Sequence, residues 1–167
     1  MKEITAKEIA ALRDKTGLPV MEVKSALTEA GGDEEKAIEI LRQKGISKSV
    51  SRADKETTNG VIDCYVHGGR IGVLVEVLCE TDFVARNEDF KKFAHELSLQ
   101  IAAAAPKYIN REEIPKAEIA RESEICLLSQ PYFRDPKKKV SDILSEIIAK
   151  TGEKIVISRF VRYELAC

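Results

Sequence analysis

The spacing of apolar residues changes near residue 60, and this change restricts the folds that the chain can adopt. Before it, apolar residues recur every three or four positions, which places them on one face of an α-helix. From Gly60 to Glu80, two runs rich in β-branched residues flank Gly68-Gly69, a pattern typical of a β-hairpin. Helical spacing returns from about Asn87 to Ala105. We therefore predict an α+β chain, in which three helices precede a small antiparallel sheet packed with helices.

Local signals mark the ends of the first three helices. Thr5 followed by Glu8 fits a capping box, in which each side chain bonds a free backbone N–H at the start of a helix. Gly17 suits the left-handed position just past a helix end. Asp33 is a favourable N-cap for a third helix, which we expect to end near Gly45.

The composition divides the chain into three segments. Residues 1–46 form the three-helix module, and residues 60–167 form the α+β core. Residues 47–59 between them are polar and rich in Ser and Thr, which indicates a linker.

The hairpin also predicts a pairing register. With Gly68-Gly69 as a two-residue turn, Cys64 pairs with Val73 and Cys79 pairs with Thr58. The two cysteines are then about 20 Å apart along the sheet, too far for a disulfide.

The remaining core elements follow from the same patterns. Residues 116–129 are predicted to be helical, Asp135–Lys139 is predicted to be a loop, and a further amphipathic helix ends at Gly152. Alternation from Lys154 to Leu165 predicts a third strand. It places one set of apolar residues on a single face: Ile155, Ile157, Val161, Tyr163 and Leu165.

Charge and hydropathy exclude two classes of partner. The chain has 27 Lys and Arg residues against 28 Asp and Glu residues, a formal net charge of −1, which argues against direct binding to nucleic acid. No apolar run approaches the length of about 18 residues that a membrane span needs. No secretory signal is visible at the N-terminus, so we expect a cytoplasmic protein.

Metal, cofactor and thiol chemistry find little support. Cys64 and His67 are separated by an odd number of positions and so point to opposite faces of a strand, which disfavours zinc binding. We predict no metal and no cofactor. The four cysteines are widely spaced and are expected to be free thiols. For Cys167 the alternative is a disulfide between two chains.

The loop between the first two helices allows two interpretations. Leu18, Val20 and Met21 are apolar residues close to one turn. They either close the small core of the module or form an exposed patch that binds a partner protein.

The corner between the second strand and the long helix also allows two interpretations. Thr81 or Asp82 suits a cap, and Phe83 either enters the core or remains exposed. An exposed phenylalanine held at such a corner would be a rigid apolar anchor, the kind of residue that dominates the energy of an interface.

Ordered blocks of residues across nearly the whole chain resemble the elongation factor Ts family, the nucleotide exchange factors of the GTPase elongation factor Tu. The blocks are Leu12–Gly17, Leu41–Gly45, Val75–Val77, Glu80–Asn87, Cys126–Pro131, Gly152–Ile155 and Arg159–Glu164. The chain departs from the family between Glu118 and Cys126, where relatives carry a longer helical stretch.

The resemblance implies a fold and a set of contacts. The first module would be a ubiquitin-associated-like domain that docks on the nucleotide domain of the partner. The partner-binding residues carried over are Arg13, Leu18, Val20, Met21 and Lys24. The segment Thr81, Asp82, Phe83 and Val84 would enter the partner near the nucleotide-bound magnesium, with Phe83 as the wedge and Asp82 fixing the turn.

The resemblance implies that the chain binds elongation factor Tu and accelerates the release of GDP. It would act by binding alone, without covalent chemistry, and so would not be an enzyme. Short family members can pair through their sheets, which predicts a homodimer with a dimerisation-type core. The alternatives are a helical docking module without exchange activity, and a thiol or metal enzyme using Cys64, Cys79 or the histidines.

Overall fold

The computed structural model describes residues 4–51 and 54–166, and it confirms an α+β fold. The predicted Cys167 thiol and part of the predicted linker, residues 52 and 53, lie outside the described residues. The first three helices are α1 Ala6–Thr16, α2 Val20–Glu29 and α3 Glu34–Ser51.

The core begins with the predicted hairpin and continues with helices on one side of it. Its elements are β1 Asn59–His67, β2 Ile71–Cys79, α4 Asp82–Ala85, α5 Glu88–Ala104, α6 Glu122–Ile125, β3 Pro131–Tyr132, β4 Asp135–Lys139, α7 Val140–Thr151 and β5 Ile155–Glu164. The strands β1, β2 and β5 form an antiparallel sheet in the order β1-β2-β5, and β3 pairs with β4.

The helix caps follow the sequence signals. The Thr5 side chain accepts a hydrogen bond from the backbone N–H of Glu8, and the Glu8 carboxylate accepts one from the backbone N–H of Thr5 at 2.9 Å. Gly17 and Gly152 adopt left-handed conformations with φ of 66° and 72° after α1 and α7. Short-range chemistry therefore determines where these helices start and stop.

Gly45 does not end the third helix, so that prediction is wrong. The helix α3 continues to Ser51, into the residues predicted to be a linker. Gly45 lies where α3 packs on α7, and a Cβ there would come within 3.1 Å of both the Ala149 Cβ and the Ser145 carbonyl oxygen. The absent side chain allows two helices to approach closely.

The hairpin register differs from the prediction by one position. The Arg70 N–H donates to the His67 carbonyl, and three residues separate the paired His67 and Ile71. As a result Cys64 lies opposite Leu74 and Cys79 lies opposite Asn59. The absence of a Cys64–Cys79 disulfide is confirmed, since Cys64 is an exposed free thiol and Cys79 a buried one.

A β-bulge makes the predicted face of β5 wrong beyond Ser158. Glu76 pairs with Arg159 but Val77 pairs with Ile157, so Ser158 is an extra residue in β5. Before the bulge, Ile155 and Ile157 are buried in the core. After it, the alternation is inverted, because one inserted residue turns every later side chain to the other face. Val161 and Tyr163 are therefore exposed.

The region from residue 116 to residue 139 is less regular than predicted. Instead of one helical segment, it contains 3₁₀ turns at Lys116–Arg121 and Leu127–Ser129 around the short α6. Asp135–Lys139, predicted to be a loop, is strand β4. Its partner Tyr132 is buried and donates a hydrogen bond to Glu96 at 2.8 Å, so packing against α5 imposes the extended backbone.

The main core lies between the sheet and the helices α5 and α7. Val73, Val75, Val77 and Cys79, at alternate positions of β2, point into it. A smaller cluster holds α1, α2 and α3 together through Leu12, Leu18, Val23, Ala26, Leu27, Ala37 and Leu41. Within the described ranges, every helix is too short or too polar to cross a membrane.

Gly60 provides a test of the sheet. A Cβ at Gly60 would lie 2.2 Å from the Val77 carbonyl oxygen, whereas a Cβ at Gly72 meets no atom within 4 Å. We expect Gly60→Ala to lower the free energy of unfolding by about 2 kcal/mol, because β1 must move away from β2. Urea denaturation measures the effect. Gly72→Ala is the matched control, and equal losses in both variants would contradict the register.

Candidate functional site

The corner after β2 is a single helical turn between two caps. Thr81 has an extended backbone, and its Oγ1 accepts a hydrogen bond from the Val84 N–H at 3.4 Å at the start of α4. One turn later the Asn87 side chain accepts a hydrogen bond from the Asp89 N–H at 2.8 Å and starts α5. These caps fix where the chain leaves the sheet and where the long helix begins.

The carboxylate of Glu153 holds this corner from the other side. Its Oε2 accepts hydrogen bonds from the backbone N–H groups of Glu80 at 3.1 Å and Thr81 at 3.0 Å. Its Oε1 accepts a hydrogen bond from the Thr81 hydroxyl at 2.6 Å. In return, the Lys154 N–H donates to the Glu80 carboxylate at 2.6 Å. The segment after α7 and the corner after β2 are thus joined by four hydrogen bonds.

Successive side chains of the turn point in different directions. Val84 is only 4% exposed and belongs to the main core, whereas Phe83 is 79% exposed. Asp82 is also exposed, and its carboxylate lies 3.1 Å from the Arg86 guanidinium. The interpretation that Phe83 enters the core is wrong: Val84 anchors the turn and Phe83 projects from it.

A buried thiol supports the turn from beneath. The Cys79 Sγ donates to the Thr81 carbonyl at 3.2 Å. Burial raises the pKa of the Cys79 thiol to about 11, and the nearby Glu153 carboxylate contributes to the increase. At neutral pH the thiol therefore stays protonated and keeps its role as a donor, an environment unlike that of a reactive cysteine.

Four of the five predicted docking residues are on the surface of the first module. Met21 is 73% and Val20 is 48% exposed, and Arg13 and Lys24 are exposed as well. Leu18 is buried in the small cluster. Leu18 therefore closes the core of the module, whereas Val20 and Met21 are exposed apolar residues.

The other polar clusters lack the geometry of a nucleophilic site. The buried Ser98 hydroxyl donates to the Asp63 carboxylate at 2.6 Å, and His95 bonds the same carboxylate at 3.1 Å, so the histidine is not placed to accept the serine proton. In the part of the chain that the structure describes, no three His, Cys, Asp or Glu side chains are grouped so as to hold a metal ion.

Sequence reasoning missed the role of Glu153. The residue lies 72 positions from Thr81, and no local pattern connects the two. The sequence contains one indication of this role: Glu153 directly follows the helix-ending Gly152, within a block that resembles the family.

Comparison with known proteins identifies close relatives. Residues 6–127 match the family model described as Elongation factor TS. The chain is 47% identical over 192 positions to Elongation factor Ts of Thermoanaerobacter sp. (strain X514), covering 96% of this chain and 94% of the relative. It is 45% identical over 193 positions to Elongation factor Ts of Moorella thermoacetica, covering 97% and 95%. For Elongation factor Ts of Thermodesulfovibrio yellowstonii the identity is 42%, covering 97% and 96%.

The hydrogen bonds of Glu153 lead to a testable expectation. Glu153→Ala leaves the N–H groups of Glu80 and Thr81 without their acceptor, which weakens the corner by about 1.4 kcal/mol, or about tenfold in local opening. We expect amide hydrogen exchange at these two residues to accelerate by that factor while the core strands keep their protection. Glu146→Ala on α7 is the control, because Glu146 bonds the Lys138 side chain and no backbone group of the corner among the described residues. Unchanged exchange at Thr81 would show that the carboxylate does not hold the turn.

Proposed function

The chain belongs to the elongation factor Ts family of translation factors, and from this membership we propose that it binds elongation factor Tu and accelerates the release of GDP. The proposal places the chain in the cytoplasm, with the GTPase as its partner. Family membership is carried by the match over residues 6–127 and by identities of 42–47% to the three relatives. The chemistry is that of binding, with no covalent step.

One observation carries the exchange mechanism: Phe83 is 79% exposed on a turn that is already fixed. Val84 anchors the turn in the core, and Glu153 bonds its backbone. A preformed turn loses little conformational freedom when it binds, so the energy from burying the aromatic ring is available to move groups in the partner. We assign the role of wedge to Phe83 and the role of fixing the turn to Asp82 and Thr81.

The first module supplies the second contact. Val20 and Met21 form its exposed apolar surface, and Arg13 of α1 and Lys24 of α2 are exposed on the same module. In the proposed complex this surface docks on the nucleotide domain of elongation factor Tu, which brings the Thr81–Val84 turn to the magnesium and phosphate site. Leu18 acts from the core by supporting the loop.

Linkage explains why such binding releases the nucleotide. A factor that binds the nucleotide-free GTPase more tightly than the GDP form weakens GDP binding by the same factor. The bound magnesium ion is the largest positive charge near the β-phosphate of GDP. Displacing the ion and its ligands therefore removes the main electrostatic attraction that holds GDP. An acceleration of about thousandfold requires a barrier lower by about 4 kcal/mol, which one buried aromatic anchor and a docking surface can provide.

We also propose a homodimer formed through the open face of the sheet. This face carries exposed apolar side chains from all three strands: Ile62, Val66, Leu74, Val161 and Tyr163. The β5 bulge at Ser158 contributes to it, because it turns Val161 and Tyr163 outward. A sheet face that exposes several apolar side chains, here beside the Glu76–Arg159 ion pair, is typical of a protein interface.

The exchange proposal is tested with Phe83→Ala. We expect the variant to remain folded and to lose most of its acceleration of GDP release from elongation factor Tu, measured by stopped-flow with fluorescent GDP. Phe133→Ala is the matched control, because Phe133 is a 40% exposed phenylalanine on the β3–β4 hairpin. Wild-type kinetics in Phe83→Ala would remove Phe83 from the mechanism. If the wild type binds elongation factor Tu equally well with and without GDP, the result would favour a docking module without exchange activity.

The dimer proposal is tested by light scattering at micromolar concentration. We expect a mass of twice 18.6 kDa for the wild type and of one chain for Leu74→Lys, because the added charge lies on the 48% exposed Leu74 position of the sheet face. Ile119→Lys, at a 40% exposed position outside the sheet, is expected to remain dimeric. A monomeric wild type would contradict the proposal.

A further inference from the structure

The helix α7 belongs to both hydrophobic clusters. Ile147 and Ile148 lie in the main core under the sheet. Ala149, the next residue, lies in the cluster of the first three helices, against the group that includes Leu12 and Leu18. The helix α7 thus acts as a fourth helix of the first module while it remains part of the core.

Two further contacts attach the first module to α7. Gly45 of α3 allows the close approach to Ser145 and Ala149. One turn earlier on α3, the Arg42 guanidinium lies 3.0 Å from the Asp142 carboxylate. Cavities of about 220 and 240 Å³ flank the α7 junction, and the first is lined by Leu18, Ile38 and Leu41 and the second by Thr16, Asp89 and Lys92. The packing of α3 on α7 and the Arg42–Asp142 ion pair therefore orient the first module beside these openings.

Lys150 of α7 contacts both the first turn of α5 and Gly17 of the first module. Its ammonium is 2.7 Å from the carboxylate of Asp89, which lies in the first turn of α5, two residues after the Asn87 cap. The end of its side chain lies over Gly17, where a Cβ would come within 2.9 Å of the lysine Cε. Gly17 begins the short connection to α2, whose first two residues are Val20 and Met21.

The same end of α7 also holds the turn itself. Three residues after Lys150, Glu153 bonds the backbone of Glu80 and Thr81. The four residues from 150 to 153 therefore contact the docking loop, the first turn of α5 and the turn that presents Phe83.

We propose that Lys150 is a positioning residue for GDP release, which couples docking of the Val20–Met21 surface to insertion of Phe83. This inference rests on the proposed exchange function. When the two surfaces are held in one orientation, docking of the first raises the effective concentration of the second at its site. When the first module is not held in one orientation on α7, binding of one surface raises the effective concentration of the other by a smaller factor. Asp89, Lys92 and Glu146 line the same cleft, and Asp89 is the group that bonds the ammonium.

The test uses the dependence of the GDP release rate on the concentration of the full chain. We expect Lys150→Met to raise the half-saturating concentration about fivefold, the effect of losing an ion pair of about 1 kcal/mol, and to leave the maximal rate unchanged. Lys150→Arg keeps the charge and is expected to stay within about twofold of the wild type. Asp89→Asn removes the same ion pair from the other side and is expected to reproduce the defect. Lys91→Met is the matched control, since Lys91 pairs with Glu88 on α5.

A double variant shows whether the residue couples the two surfaces. If it does, Met21→Ala raises the half-saturating concentration by a smaller factor in the Lys150→Met background than in the wild type. Full additivity, an unchanged half-saturating concentration in Lys150→Met, or a defect in Lys150→Arg as large as that in Lys150→Met would overturn the inference. A folded wild type that fails to accelerate GDP release would instead remove the proposed function, and this inference with it.

Discussion

The hydrogen bonds between the Glu153 carboxylate and the backbone at residues 80 and 81 determine how the functional corner is presented. The β2 ladder ends at Cys79, and the next two N–H groups donate to this carboxylate. Backbone groups that lack a partner in partly buried positions are costly, so the carboxylate stabilises a chain direction that the sheet itself does not specify. The exposed position of Phe83, the buried position of Val84 and the start of α5 all follow from this direction.

The fixed corner explains how a large aromatic side chain can remain exposed. Left free, a phenylalanine next to a buried valine would gain by folding onto the core. Here the Thr81 cap, the Glu153 bonds and the buried Val84 set the turn, and Phe83 points away from the core as a consequence. The folded protein bears the cost of exposing the ring, and in the proposed complex this cost is recovered when the partner covers the ring.

Local chemistry was predictable from the sequence, whereas contacts between distant segments were not. The caps at Thr5 and Gly17 depend on neighbouring residues and were predicted, and the cap at the corner is Thr81, one of the two residues considered for it. Gly45 was misassigned because glycine suits both a helix end and a close approach of two helices. The Ser158 bulge and the Glu153 hydrogen bonds depend on pairings that no short sequence pattern records. The strand β4 formed against expectation because a buried Tyr132 on its partner strand outweighed the polar character of the segment.

The structure of this chain bound to nucleotide-free elongation factor Tu tests the central claim most directly, which is that a preformed turn acts as the wedge. The account predicts that Thr81–Val84 keeps its conformation and its Glu153 hydrogen bonds, and that Phe83 changes from 79% exposed to fully buried beside the magnesium site. A complex in which Phe83 remains exposed, or in which the turn separates from Glu153 and rebuilds on the partner, would contradict it.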